Sequence, residues 1–167
     1  DQIAAMAGVK TLGLQPLRRS MARLAAPGGH DLRSWPMMFG PGEHWYAKPD
    51  AGALLVSPAE EVPVDPHDAY PDDMTLAEGL FRYQEYVTPE VTRPIATWAG
   101  LRTFATDRQL VLGRAVDAPS FVWCAGQGGY GFQTAPAASA LIADILAERV
   151  PEIGADLAQA LSPARFG

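Results

Sequence analysis

Apolar positions along this chain come in short bursts separated by Gly, Pro and Asp, and the spacing changes from helical to alternating and back. Ile3 to Ala7 reads as the end of a helix stopped by Gly8 in the C-cap position. A short strand-like segment then leads into Gln15–Met21. Three apolar or aromatic runs follow, Ser34–Phe39, His44–Lys48 and Leu54–Ser57. The punctuation between them predicts antiparallel strands joined by tight turns. Pro58–Pro71 is acidic and Pro-rich, which predicts a surface connection. Asp72 or Asp73 can cap the next helix, where Leu76, Leu80, Tyr83 and Val87 recur at helical spacing and should face a sheet. Thr92–Phe104 reads as a long strand with Trp98, Gly100 and Arg102 on one face, Gly100 allowing close backbone approach. After a turn at Asp107-Arg108 and the apolar run Leu110–Gly113, a glycine-rich strand-turn-helix closes the pattern. Its helix is predicted from about Thr134 to Arg149, with Leu141, Ile145 and Leu146 on the packing side.

That last element contains a formal G-x-G-x-x-G at Gly126, Gly128 and Gly131, between an apolar run and a helix. A dinucleotide fingerprint would open a βαβ unit with a second strand. Only Arg149–Gly167 remains, rich in Pro, Ala and Gly and without a β-branched run, so the unit cannot be completed. The physical content of the motif survives. It is a backbone freed of Cβ atoms, whose amides and following helix N-terminus suit an electron-rich ligand edge.

Composition narrows the partners. With 167 residues the chain can bury a real core, as one domain or a slice of a larger one, and its start at Asp1 inside a helical pattern suits a slice. Thirteen basic against 19 acidic residues predict a mildly negative surface, which favours neither nucleic acid nor anionic membrane. The single Cys124, in an apolar strand, reads as a small hydrophobe; it excludes an intrachain disulfide and favours a reducing, cytoplasmic setting. No apolar run approaches the roughly 18 residues of a membrane span, and no signal peptide is visible. His30, His44 and His67 lack metal-ligand spacing, and neither a G-x-S-x-G elbow nor a P-loop occurs. Glu60-Glu61 reads as a solvated pair in the Pro-rich loop rather than an acid/base couple.

Several strings in fixed order carry a resemblance. They are Trp98–Phe104, Asp107, Gly113 and Ala125–Pro136, with Tyr46–Gly52 and Leu55–Ala59 upstream and Leu161–Arg165 at the close. Together they resemble the C-terminal part of the FAD-dependent D-amino-acid oxidase superfamily, closest to its bacterial D-arginine dehydrogenase and glycine oxidase-like branches. The likeness covers nearly the whole chain. It implies an α/β fold of α+β character, with a mixed, largely antiparallel substrate-domain sheet and a helix packed on it. A C-terminal strand-turn-helix would belong to an FAD-binding domain whose N-terminal Rossmann half is absent. By that resemblance residues 1–14 end the FAD-binding domain, 15–105 form the substrate-binding domain, and 106–167 return to the FAD-binding domain.

The same resemblance implies roles for particular residues. Arg102 would bind the substrate α-carboxylate, for which a planar bidentate donor is the natural partner. Arg19 and Tyr46 match positions that complete that clamp, and Gly129 would offer its carbonyl to the substrate amine. On the residues alone, Arg19 reads equally as a solvated charge beside Arg18, and Tyr46 as a strand aromatic packing the sheet. Met37 and Phe39, alternating with Trp35, are candidates for a side-chain pocket or for core. The cofactor would meet Gln127, Gly128, Gly129, Tyr130, Gly131, Phe132, Gln133 and Thr134. Their amides and the helix N-terminus would stabilise charge on the flavin's N1-C2=O edge. A plain glycine-rich turn with an N-cap at Thr134 is the alternative.

The implied activity is oxidative deamination of D-amino acids by hydride transfer to FAD, from a substrate entering with its amine neutral, which needs no general base. A glycine or sarcosine oxidase-like activity on secondary amines is the second enzyme reading. A non-catalytic binding module derived from an oxidase is the third. The implied partners are a small amino acid and an N-terminal FAD-binding half.

Overall fold

The computed structural model describes residues 1–167, which form two compact units. One comprises Leu17–Leu101; the other comprises Asp1–Pro16 with Arg102–Gly167.

The Leu17–Leu101 unit is built on an antiparallel sheet. Its long strand β1 (Gln15–Leu24) pairs with β4 (Ala53–Ser57) through Ala22–Val56 and with β5 (Val62–Pro63) through Leu17–Pro63. Strands β2 (Met38–Phe39) and β3 (Tyr46–Asp50) extend the order to β2-β3-β4-β1-β5, and β6 (Ala96–Phe104) also pairs with β1. The β3–β4 hairpin turns at Ala51-Gly52, both at positive φ, which a two-residue turn between right-twisted strands requires. Helix α2 (Asp73–Gln84) packs on β4. Asp72 is its cap, accepting from the Thr75 amide at 2.8 Å. Leu76 and Tyr83 sink into a core with Trp45, Leu54 and Val56, Leu80 and Val87 packing at its margin. Burying each such aliphatic side chain stabilises the unit by about 1.5–3 kcal/mol.

The other unit starts with α1 (Gln2–Met6), after which Gly8 turns the chain at φ 69°. The carboxylate of Asp1 accepts from the amides of Leu12 and Leu14, so the strand-like segment before β1 is a tethered irregular stretch. Strands β7 (Val111–Arg114) and β8 (Val122–Ala125) form an antiparallel pair. Helix α3 (Gly131–Leu146) contributes Ala138 and Leu141 to a core with Leu112. A further helix, α4 (Ala155–Leu161), follows α3, and no strand does. Within residues 1–167 α3 is thus followed by a helix where a βαβ unit has its second strand.

Several expectations change. The run Ser34–Phe39 is strand only at Met38–Phe39, because Trp35 closes a turn on the Leu32 carbonyl and Pro36 has no amide for a ladder. Thr92–Phe104 is strand only from Ala96, Pro94 being similarly unable to donate. The Pro-rich connection contributes β5 to the sheet. Helix α3 begins at Gly131 with Tyr130 as its cap, so Thr134 lies in its first turn, and Leu146 is 57 % exposed, off the packing side. Cys124 is exposed on β8 rather than a core hydrophobe. A β-carbon at Gly100 would meet nothing, so no close approach explains that glycine. No helix is long and apolar enough to cross a membrane.

Candidate functional site

In the unit containing the glycine turn, β6 and the turn are fastened to each other. The Gly128 amide donates to the Thr103 carbonyl at 2.9 Å. A β-carbon on Gly128, at φ 52°, would fall 2.3 Å from Cε1 of buried Phe104, so the turn lies flat on that ring. Arg108 covers the same ring, its Cζ 4.8 Å from the centroid. Next in the turn, a β-carbon on Gly129 would fall 2.8 Å from Nη1 of Arg102. Arg102 and Gly129 are thus direct neighbours, and a side chain at 129 would push the guanidinium aside. Phe104 and Thr103 support the turn without carrying chemistry; alternation along β6 was their one signal in the sequence.

The turn's amides divide into spent and unspent. Gly128 donates to Thr103, Tyr130 to Gln127 and Thr134 to Tyr130. The Thr134 hydroxyl also donates to the Tyr130 carbonyl at 2.8 Å, which removes it as a donor to a ligand. The amides of Gly129, Gly131, Phe132 and Gln133 have no acceptor within the protein. Of the seven amides from Gly128 to Thr134, those of Gly128, Tyr130 and Thr134 are therefore spent within the protein, and four remain. Gln127 uses its side-chain amide on the Cys124 thiol at 3.6 Å. Tyr130 and Phe132 are exposed, Phe132 at 98 %. The unpaired amides of Gly131, Phe132 and Gln133 in the first turn of the sixteen-residue α3, with that of Gly129 just before its cap, fit an electron-rich edge such as a flavin presents.

The remaining matched strings hold this unit together. Arg165 clamps Asp107 with Nε to Oδ2 at 2.6 Å and Nη2 to Oδ1 at 3.2 Å. That guanidinium holds the Asp107 carboxyl below the usual carboxylate range. Gly113 lies against Pro163, where a β-carbon would come within 2.9 Å of Cδ.

In the Leu17–Leu101 unit the structure brings Arg19, Tyr46 and Phe39 together. The Arg19 Cζ lies 5.9 Å from the Tyr46 ring, whose centroid is 6.2 Å from that of Phe39 across the β2–β3 pair. Arg19 is not a solvated charge: its side chain is 12 % exposed, with Nε on the Glu60 carbonyl at 2.7 Å and Nη2 on Glu61 Oε1 at 3.1 Å. Tyr46 is buried. Glu60-Glu61 is not a solvated pair either. The Glu60 carboxyl oxygens are buried without hydrogen-bond partners, and Glu61 is ion-paired. Met37 and Phe39 are both exposed, Phe39 at 59 %, which removes the core reading, and Met37 and Trp35 precede the strand. No group of three His, Cys, Asp or Glu side chains is arranged to hold a metal ion.

The antiparallel sheet with its packed helix, and the β8-turn-α3 element beside Arg102, are the parts of the chain that a comparison with known proteins can place in a family. The chain belongs to the DAO family, "FAD dependent oxidoreductase", whose family model it matches over residues 1–145. Its structure is similar to iminodiacetate oxidase from Chelativorans sp., with TM-score 0.77 and 22 % identity over 97 % of this chain and 42 % of that one. It is similar to L-proline dehydrogenase from P. horikoshii, at 0.74 and 22 % over 98 % and 43 %. Glycine oxidase from Geobacillus kaustophilus follows at 0.72 and 20 % over 95 % and 41 %. These likenesses are of fold. The chain spans less than half the length of these three structures.

Proposed function

We propose that this chain is the C-terminal portion of a flavin-dependent amino-acid dehydrogenase or oxidase that deaminates D-amino acids oxidatively. The observation that carries the reading is the contact of Arg102 with Gly129, beside four unspent amides at the start of α3. An arginine fork and a row of unpaired amides are the two donor sets needed for a substrate carboxylate and an electron-rich cofactor edge.

In this reading Arg102 binds the α-carboxylate bidentately and Gly129 accepts from the substrate amine through its carbonyl. Arg19 and Tyr46 bind substrate as well, and Met37 and Phe39 face its side chain. The amides of Gly129, Gly131, Phe132 and Gln133 hold the cofactor's ring edge, with Gln127 and the rest of the turn around them. FAD, when bound, supplies the two-electron acceptor. The chain's contribution is position and charge; it takes no proton from a substrate whose amine enters neutral. Residues 1–14 and 106–167 are assigned to the cofactor domain and 15–105 to the substrate domain. An N-terminal FAD-binding half is the implied partner, and a cytoplasmic setting is the compartment we assign, in keeping with Cys124 as a free thiol.

The test is turnover by the full-length protein of a panel of D- and L-amino acids with an artificial electron acceptor, alongside its visible spectrum. A flavin spectrum with a preference for D-amino acids is expected; a flavin-free protein without turnover would overturn the reading. A second reading, oxidation of glycine or secondary amines, draws on the similarity to structures named iminodiacetate oxidase, glycine oxidase and L-proline dehydrogenase. Sarcosine and proline in the same panel separate the two.

A further inference from the structure

We propose that Glu61 is a positioning residue that fixes the Arg19 guanidinium so that one edge of it stays open to a carboxylate; this rests on reading Arg19 as a substrate contact. The sheet supplies the geometry. Between the Ala22–Val56 and Leu17–Pro63 pairs, β1 advances five residues while the returning chain advances seven. The two extra residues make a bulge at Pro58–Glu61, and bulges re-aim side chains and carbonyls out of the ladder. Ala59 turns it at φ 57°, a left-handed conformation that a residue with a β-carbon adopts only under constraint. The constraint is the buried Ser57 hydroxyl, which donates to the Ser20 carbonyl at 2.8 Å and accepts from the Ala59 amide at 3.1 Å.

The pinned bulge presents two acceptors to one arginine. The Glu60 carbonyl takes Nε, and Glu61 takes Nη2, while the Tyr46 ring lies near the guanidinium. A guanidinium carries five N–H donors, and this arrangement uses the Nε–Nη2 side. Nη1 keeps both of its donors free of protein acceptors. The end formed by Nη1 and the outer hydrogen of Nη2 is the edge a second carboxylate can grip. Glu61 removes the rotation about the Arg19 side chain that would otherwise be lost on binding. It also brings a negative charge near the incoming one, so the two effects have opposite signs and an experiment can decide between them.

The experiment is steady-state kinetics of the full-length, FAD-loaded protein carrying Glu61→Gln, Glu61→Asp or Arg19→Gln, with a D-amino acid as varied substrate and an α-keto acid as competitor. Positioning predicts that Glu61→Gln raises KM and the competitor's Ki about tenfold with kcat within about twofold. Glu61→Asp, which keeps the charge, should recover most of that loss. A fall in KM for Glu61→Gln would mean that Glu61 opposes the substrate, and would overturn the inference. So would an unchanged KM while Arg19→Gln raises it. If Arg19→Gln itself leaves KM unchanged, the assignment of Arg19 to substrate has failed, and the role of Glu61 with it. A parallel drop in kcat and melting temperature for both Glu61 variants would assign Glu61 a purely structural role and also overturn it.

Discussion

Gly128 sits on Phe104 so closely that a β-carbon would fall 2.3 Å from the ring's Cε1. At that distance either the ring or the turn must move. The turn also holds its conformation at positive φ through the Gly128–Thr103 hydrogen bond. The position of the unspent amides at the start of α3 therefore depends on a glycine packing against an aromatic ring one strand away.

Gly128→Ala should displace the turn. The left-handed conformation costs about 1–2 kcal/mol with a β-carbon present, and overpacking adds about 1–3 kcal/mol. The expected outcome in the full-length protein is a lowered flavin content, read from the visible absorbance per protein. Phe104→Leu combined with Gly128→Ala should recover part of it, because the strain is shared between contacting residues.

Arg102→Lys keeps the charge and loses the planar fork. On the proposed carboxylate role it should raise KM for amino acids by at least about tenfold, a loss of one charge-assisted hydrogen bond or more. Flavin content should not change. Steady-state kinetics with the flavin spectrum separates this from a structural effect.

Gly79 in α2 poses two opposing effects. Alanine is the better helix former by about 1 kcal/mol, but its β-carbon would fall 2.2 Å from Cβ of Pro58 and 2.7 Å from its Cα. Backbone and ring cannot yield as a flexible side chain would, so the clash wins. Gly79→Ala should destabilise by about 1–3 kcal/mol, measured by denaturant unfolding.

Two pH dependences follow from burial and pairing. Burial raises the Tyr83 phenol above its ordinary value of 10.0, so the unfolded chain ionises first as pH rises. Its contribution is complete below pH 10 and falls as pH climbs from there towards the folded-state pKa. Tyr83→Phe retains the edge-on contact with Trp45 and should flatten that alkaline decline in thermal melts.

At the acid end, the Arg165 hydrogen bond lowers the Asp107 pKa. The stability it gives is present above the ordinary carboxylate range and lost as pH falls through the folded-state value. Asp107 is 38 % exposed, so the effect is under about 1 kcal/mol. Asp107→Asn should remove that acid dependence in melts taken from about pH 5 down to about pH 2.

Legibility in the sequence followed the range of the interactions. The Asp72 cap and the Leu76–Tyr83 face of α2 are set by residues within two turns of each other, and both were readable. The strands β3 and β4 were readable because turn residues bracket them. Helix α4 is not legible, although Ala155–Leu161 is rich in Ala and Leu, because Pro and Gly surround a segment of only seven residues. Strand β5 is not legible because a two-residue pairing with a Pro in it has no periodicity. The cofactor-facing residues were legible as a glycine-rich turn before a helix. Which of their amides were free was not, since Gly128 spends its donor on Thr103 far away in sequence.

By itself the sequence determined the alternation of elements, the family, and the residue types available for a carboxylate and a cofactor edge, because those reside in local pattern and in motif order. Tertiary structure decided what each residue is free to do. Arg19 became a held guanidinium because a bulge aims Glu60 and Glu61 at it, and Glu60-Glu61 ceased to be a solvated loop for the same reason. Arg102 became the neighbour of Gly129 because the Gly128–Phe104 contact brings the turn down onto β6. Hydrogen-bond capacity is finite, and only packing between distant segments determines which donors are spent within the protein and which remain for a ligand.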